Sequence, residues 1–228
     1  MSDYSKCFVP GSLILPDSIS KKAQARASTK FVAPKELLLD GYCTPVENQG
    51  DQPFCAAYAA TSLAESMLWR KNHYHEDIDP VPIYNEAKTL DQHSDENGTT
   101  LEAALQALIN KGYFDKDKYR VKVFGGKPLG CTDGLRSVKF AIHEYGCCVA
   151  GFNITKEWYS PSFFTDTIKY NKKSPVLGGH AVLICGYTKD KVRILNSWGK
   201  SYADKGFVWI TNEAFNVQFV LGGVLAQD

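Results

Sequence analysis

One cysteine of the sequence, Cys55, is placed where its thiol could act as a nucleophile. From Pro53 onward, small and apolar residues recur at spacings of three and four, which predicts the buried face of a helix: Ala56, Ala59, Ala60, Leu63, Ala64, Met67 and Leu68. Asp51 is the expected N-cap and Pro53 is tolerated in the first turn, so Cys55 lies at the helix N-terminus. Thiols at helix N-termini ionise readily beside a protonated imidazole. The alternative interpretation is a small buried residue on an alanine-rich helix.

Three segments, in a fixed order along the chain, carry motifs around polar residues. Residues 45–50 read PVENQG and shortly precede Cys55. Far downstream, residues 179–187 read GHAVLICGY, and residues 194–199 read ILNSWG before GFVWI at 206–210. Together these segments resemble the nucleophile region, the histidine strand and the asparagine segment of the papain-like cysteine peptidase family. The resemblance implies a cysteine peptidase.

This resemblance implies a role for each polar residue of the motifs. Gln49 occupies the place of the glutamine that donates to the oxyanion, together with the backbone N–H of Cys55. His180 would be the base, Asn196 would orient its imidazole, and Trp198 would shield their bond from water. Taken singly, His180 could instead be a core histidine and Asn196 a turn residue. Likewise, Trp198 could be a core aromatic and Gln49 a surface amide, but all four alternatives would have to hold at once.

Two glycine-containing positions are interpreted as substrate-binding residues. Asn97 and Gly98 resemble the family element whose backbone pairs with an extended substrate, although a glycine before a helix is also a simple turn. Gly179, preceded by Gly178, stands where bulkier side chains normally close a pocket, so that pocket is expected to be wide. The resemblance therefore implies a peptide or protein substrate that binds as an added strand.

Several positions depart from the family pattern. Ala56 replaces the tryptophan that usually follows the nucleophile, and Gln52 replaces a disulfide-bonded cysteine. Downstream, Tyr202 stands for a second tryptophan and Ala203 for the glycine after it. The sequence therefore indicates a divergent, microbial-type member without the common disulfide of the helical lobe.

The patterns around the motifs predict an α+β fold. A second amphipathic helix is predicted from about 100 to 110 with Gly112 as its C-terminal cap, and a weaker helix precedes Gly146. Strands rich in Val, Ile and aromatic residues are predicted at 147–152, 181–187, 192–195 and 207–210. With the resemblance, this order implies the papain-like two-lobe fold, in which a helical lobe precedes an antiparallel β-sheet or barrel lobe and the active-site cleft lies between them.

The chain is expected to divide into an arm and one peptidase domain. Residues 1–33 form the N-terminal arm, which carries apolar clusters in a polar setting and would be either a short inhibitory pro-segment or a structural extension. Residues 34–228 form the domain, with a helical lobe at about 45–120 and a β lobe at about 121–228.

Composition excludes several other classes of function. The 228 residues carry a formal net charge of +1, so nucleic acid is not an expected partner, and there is no apolar run long enough to span a bilayer. The seven cysteines lack paired spacing, so neither a metal site nor a disulfide framework is expected. We expect a monomer without a cofactor, in the cytoplasm because no signal peptide is seen.

Two other functions use the same residues. A thiol acyltransferase or a ubiquitin-type isopeptidase would share the triad and the acyl-enzyme, and the sequence does not distinguish them from a peptidase. A non-catalytic binding module with the same cleft is less favoured, because Gln49, Cys55, His180 and Asn196 are all present.

Overall fold

The computed structural model describes residues 30–43, 45–73, 75–91, 93, 96–114, 120–121, 126–131, 133–161 and 166–227. The predicted arm therefore lies outside the described residues except for residues 30–33. The described helices are α1 (Cys55–Asn72), α2 (Pro80–Leu90), α3 (Leu101–Lys111), α4 (Gly134–Tyr145) and α5 (Asn212–Gln218). The described strands are β1 (Leu37–Leu38), β2 (Tyr113–Phe114), β3 (Arg120–Val121), β4 (Gly126–Cys131), β5 (Cys148–Ile154), β6 (Thr167–Ile168), β7 (Gly178–Tyr187), β8 (Lys191–Leu195), β9 (Phe207–Thr211) and β10 (Phe219–Gln227). The predicted α+β class is confirmed.

Helix α1 begins at Cys55, so the cysteine lies at the helix N-terminus as predicted, but the helix starts later and with a different cap than predicted. Phe54 is the N-cap residue and makes no side-chain capping bond. Asp51 instead accepts a hydrogen bond from the Gln52 side chain at 3.0 Å, because residues 49–52 form a turn closed by the bond from Gln52 N to Gln49 O. The prediction that helix begins at Pro53 with Asp51 as N-cap is therefore wrong, whereas the position of Cys55 at the N-terminus is confirmed.

The other helices begin and end at recognisable caps. Thr100 caps α3 by accepting from the backbone N–H of Ala103, and Gly112 ends α3 with φ +72°, as predicted. Asp79 caps α2, a helix that the sequence patterns did not predict. Helix α4 ends at Gly146, which confirms the weaker prediction. Among the helices described here, none combines the length and apolar character required to cross a membrane.

Eight of the described strands form one large sheet, in the order β4-β10-β5-β7-β8-β9-β6 with β1 paired to the end of β7, and β2 and β3 form a separate two-stranded sheet. The pairs are antiparallel except β6 with β9, so the sheet is mixed rather than wholly antiparallel. The four predicted strands correspond to β5, β7, β8 and β9. Strand β10 was not predicted, although it lies between β4 and β5. The boundary between lobes at about residue 120 remains a prediction.

Two packing contacts hold the helices and the sheet around the site. Helix α1 packs against β7, the strand that contains His180. On β8, the buried Arg193 donates from Nε to Asp40 at 3.0 Å and from Nη2 to Asp204 at 2.6 Å. Its guanidinium also lies 5.0 Å from the ring of Phe207. Arg193 thereby ties the segment before α1 to the strands that carry the site.

The described end of the arm packs on α4. The ring of Phe31 contacts Phe140 edge-on with centroids 5.1 Å apart, and it lies 5.6 Å from the ring of His143. Arg136 donates to the carbonyl of Phe31 at 3.4 Å. Residue 31 therefore lies on the outer face of a helix in the second half of the chain.

Candidate active site

Cys55 is the first residue of α1 and is fully buried. Backbone N–H groups in the first turn of a helix have no helical acceptor and carry partial positive charge. That environment favours an anionic sulfur over a neutral one. The position therefore suits a nucleophilic thiol.

His180 and Asn196 form a buried hydrogen-bonded pair. His180 is the third residue of β7, and Asn196 follows the end of the neighbouring strand β8. His180 Nε2 and Asn196 Oδ1 are 2.9 Å apart, and the same oxygen accepts the backbone N–H of Ser197 at 2.9 Å. An atom that accepts from a backbone N–H must be the amide oxygen, so Nε2 carries the imidazole hydrogen.

This tautomer leaves Nδ1 of His180 as the basic nitrogen. Nδ1 is buried, and among the described residues it has no hydrogen-bond partner. Burial lowers the pKa of His180 to about 4, an effect that the bond to Asn196 partly opposes. A lone imidazolium is therefore unfavourable here, and a protonated His180 requires an anionic neighbour.

Gln49 is held beside this pair by the backbone. Its N–H donates to Ser197 O at 2.9 Å, and the adjacent Asn48 forms a bridge with Trp198. The side-chain oxygen accepts from the Ser197 hydroxyl at 2.6 Å, while Nε2 donates to Gln52 O at 2.8 Å. Since an amide has two N–H groups, one remains for another acceptor. Gln49 is 3% exposed, so its interpretation as a surface amide is wrong.

Trp198 covers the imidazole as part of an aromatic stack. Its ring centroid is 4.8 Å from that of His180, and Tyr159 stacks on it at 5.1 Å. Tyr202 packs edge-on against Trp198 and donates to the carbonyl of Trp158 at 2.7 Å. The tyrosine at this divergent position is thus a buried, hydrogen-bonded part of the aromatic wall.

The predicted substrate-binding residues lie at two places. Gly179 immediately precedes His180 on β7 and pairs with Asn153 of β5. Gly98 is buried with φ +87°, a conformation that favours glycine, whereas the Asn97 side chain is exposed. Contact of Asn97, Gly98 and Gly179 with a substrate remains a prediction.

An acidic pocket lies beside the Gln49 segment. Ligand-type atoms of Glu47, Glu65 and Asp77 lie within 4.8 Å of one another, and these residues line a pocket of about 440 Å³ with Tyr58 and His75. Burial, with Asp77 and Asp79 nearby, raises the pKa of Glu47 to about 7. Sequence reasoning assigned no role to Glu47 or to Ser197, although both lie within the motifs that carry the family resemblance.

No family model matches the chain. By sequence, the chain is similar to cathepsin J of Mus musculus, 26% identical over 224 residues that cover 85% of this chain and 64% of that protein. It is also similar to procathepsin L of Rattus norvegicus, 26% identical over 205 residues that cover 77% of this chain and 59% of that protein. The chain thus spans about three fifths of the length of these curated relatives.

Solved structures show the same fold. Xylellain, a cysteine protease from Xylella fastidiosa, matches with a TM-score of 0.77 and 18% identity over 96% of this chain and 97% of that one. Procathepsin B S9 from Trypanosoma congolense matches with a TM-score of 0.74 and 15% identity over 96% of this chain and 87% of that one. The fold is that of the papain-like cysteine proteases. The chain is thus similar to papain-like cysteine peptidases in sequence and shares their fold, which supports the predicted resemblance to a divergent member of that family.

Proposed function

We propose that the chain is a cysteine peptidase that hydrolyses peptide bonds through an acyl-enzyme on Cys55. The observation that carries the proposal is the hydrogen bond from His180 to Asn196. Because Oδ1 of Asn196 also accepts the Ser197 N–H, this bond fixes the imidazole with its basic Nδ1 free. A thiol at the start of the neighbouring helix α1 requires a base with a nitrogen that can accept its proton, and Nδ1 is such a nitrogen.

In the proposed reaction, Nδ1 of His180 takes the proton of the Cys55 thiol, and the thiolate attacks the carbonyl carbon of the peptide bond. The resulting oxyanion accepts hydrogen bonds from the Cys55 backbone N–H and from the remaining Nε2 hydrogen of Gln49. Loss of one such donor typically costs about 3 to 4 kcal/mol in the barrier. The imidazolium then gives its proton to the departing amine, which leaves the acyl group on sulfur.

Hydrolysis of the acyl-enzyme reverses these proton transfers. His180 accepts a proton from an attacking water, and the C–S bond breaks so that Cys55 leaves as the thiolate. Asn196 keeps the imidazole in one orientation through both steps, and Trp198 excludes water from their bond. Each residue therefore acts in both halves of the cycle.

The proposed substrate is an extended peptide or protein chain. Such a chain would pair through its backbone with Gly98 and lie beside Gly179, where the missing side chain leaves room for a substrate side chain. Names of similar proteins support this class, since they include a digestive cysteine proteinase of Homarus americanus.

Selective alkylation tests the proposal. Intact-mass analysis after treatment with an epoxide that alkylates activated thiols should show one adduct, mapped to Cys55. The matched control is Cys185→Ala, which removes a different buried thiol and should keep the adduct, whereas Cys55→Ala should lose it. Absence of an adduct on Cys55 in the folded protein contradicts the proposal.

Turnover identifies the reaction that follows. Peptides of a library should be hydrolysed to products with free carboxylic acids. Both Cys55→Ala and His180→Ala should abolish this turnover without unfolding the chain. Products that appear only when an amine is added, or only from ubiquitin-like conjugates, would instead indicate acyl transfer or isopeptide cleavage.

A further inference from the structure

A small cavity lies beside Asn196 and beside Ala181, the residue that follows His180 on β7. Its polar lining comes from Glu47, Tyr58, Ser62, Asn196 and Ser197, and its apolar lining comes from α1, β7 and β8. The cavity has about 10 Å³ of space for the centre of a water molecule. Space of this size, with several polar groups around it, is suited to one ordered water.

The Asn196 amide, at the lining of this cavity, requires a further acceptor. Its oxygen is already used by His180 and by the Ser197 N–H. Its nitrogen Nδ2 is buried and has no acceptor among the described residues. Asn196 is 1% exposed and is one of the residues that line the cavity. Native proteins rarely leave such a group unsatisfied, because its desolvation is costly.

Glu47 supplies an acceptor in the lining of the same cavity. Its backbone is fixed there, since Gly199 N–H donates to its carbonyl oxygen at 2.8 Å. Its carboxyl oxygen Oε2 is buried and is also without a partner in the described part of the chain. Tyr58 of α1 also lines the cavity, and burial together with the charge of Glu47 raises the pKa of its phenol. The phenol therefore stays a donor and does not compete as an anion.

We propose that Glu47 is a positioning residue for the proposed reaction: its carboxylate accepts, through one water in this cavity, from Nδ2 of Asn196. The proposal rests on the proposed function of Asn196 and His180. A carboxylate on Nδ2 keeps the amide from rotating, and it polarises the amide so that Oδ1 becomes a better acceptor for Nε2–H. The imidazolium form of His180 is thereby stabilised without a charge in direct contact.

The proposal implies that protonation of Glu47 weakens the site. Six titratable groups lie near Glu47. Two are on α1, and four are in the segment that leads to the N-cap of α2: Tyr58, Glu65, His75, Glu76, Asp77 and Asp79. Burial and the charges of Asp77 and Asp79 raise the pKa of Glu47 to about 7. The anionic acceptor is therefore present above this pH and is lost as the pH falls through it.

Kinetic measurements on Glu47→Gln test the proposal. Glu76→Gln is the matched control, because Glu76 lines the acidic pocket described above but not the small cavity. Glu47→Gln should lower kcat about tenfold, the effect of one lost charged acceptor, with KM little changed. It should also remove an inflection near pH 7 from the kcat profile, and Glu47→Asp should restore part of kcat. Glu76→Gln should keep both kcat and the inflection. Equal behaviour of Glu47→Gln and Glu76→Gln would overturn the proposal.

A second measurement on the unaltered protein does not depend on the folding of any Glu47 variant. The Asn196 side-chain NH₂ resonances, assigned as those missing in Asn196→Ala, should shift with a midpoint near pH 7 in NMR titrations. Resonances that do not move in this range overturn the proposal. Alkylation of Cys55 in the same sample tests the proposed function separately. If Cys55 is alkylated but the Asn196 resonances do not shift with pH, only the role of Glu47 is rejected.

Discussion

At the scale of single residues, the amide of Asn196 decides which nitrogen of His180 is basic. Its oxygen accepts from Ser197 N–H and from Nε2, which leaves Nδ1 for proton transfer. Burial at the same time lowers the pKa of His180 to about 4. The imidazolium therefore depends on an anion beside it, and in the proposed mechanism that anion is the thiolate of Cys55.

Removal of the thiolate should make His180 a source of acid instability. In Cys55→Ala, the folded-state pKa of about 4 lies below the unfolded value of about 6.5. The unfolded chain then binds the proton first, so stability is complete above about pH 6.5 and falls as the pH drops toward 4, by about 3 kcal/mol in all. Urea unfolding at several pH values measures this loss. Cys55→Ala/His180→Gln is the control, and an equal pH dependence in both variants would contradict the prediction.

Some residues of the site could be predicted from the sequence, and others could not. Helical spacing predicts that Cys55 lies at a helix start, because periodicity is a local property. The pairing of Gln49 with Ser197 joins segments far apart in sequence, so no local pattern predicts it. The burial of the Glu47 carboxyl oxygen is not predictable from a local pattern either, because an acidic residue in a polar stretch of sequence is expected to be exposed to solvent.

At the scale of elements, the turn between β8 and β9 contains backbone strain. Ala203 has φ +43° and Lys205 has φ +52°, a conformation that costs residues other than glycine about 1 to 2 kcal/mol. Ala203 is also the position where the family resemblance expects glycine. The strain is therefore a consequence of this divergence, and the surrounding contacts maintain it.

Relief of this strain should stabilise the protein. Ala203→Gly should raise the free energy of unfolding by about 0.5 to 1 kcal/mol, because relief of strain exceeds the entropy that glycine adds to the unfolded chain. Lys71→Gly is the control, since Lys71 is exposed in α1 and glycine there should destabilise. Chemical denaturation compares the two variants. An Ala203→Gly variant less stable than the parent would show that the side-chain methyl contributes more than the strain costs.

Elements that the sequence patterns missed share a physical cause. Helix α2 contains Pro80 and Pro82, which conceal its pattern although Asp79 and Pro80 form a standard helix start. Strand β10 follows α5 without a loop and contains Gly222 and Gly223, residues that usually weaken a strand. In the sheet these glycines permit close packing, since a Cβ on Gly222 would lie 3.0 Å from the carbonyl oxygen of Val149. Tertiary contact rather than local preference determines both elements.

At the scale of the whole molecule, the fold does not depend on disulfides among the described residues. Six cysteines are described; all are buried and none of them forms a disulfide. Cys131 and Cys148 approach to 3.9 Å between sulfurs, which is a contact and not a bond. The helical lobe also lacks the usual half-cystine at Gln52. Core packing and hydrogen bonds therefore supply the stability.

Reductant should consequently have little effect on thermal stability. We expect the same melting temperature with and without dithiothreitol, because no disulfide among the described residues is available for reduction. Calorimetry under both conditions measures this. A fall of many degrees on reduction would reveal an essential disulfide.

The N-terminal arm should stabilise the fold rather than inhibit the site. Its described end packs through Phe31 on α4. Deletion of residues 1–33 removes this contact and should cost about 1 to 2 kcal/mol of stability with kcat/KM nearly unchanged. Deletion of residues 1–29 keeps Phe31 and is the matched control. A large activation by either deletion would indicate autoinhibition instead.

The position of β10 has a consequence for biosynthesis. This strand follows every other described strand in the chain, yet it pairs with β4 on one side and β5 on the other. While the ribosome is still making residues before 219, β4 and β5 have no common neighbour and their facing edges stay unpaired. Such edges are prone to join other chains, and closure over so many intervening residues is slow. Newly made protein should therefore need protection by chaperones until β10 is complete, even though β10 pairs with both strands in the finished sheet.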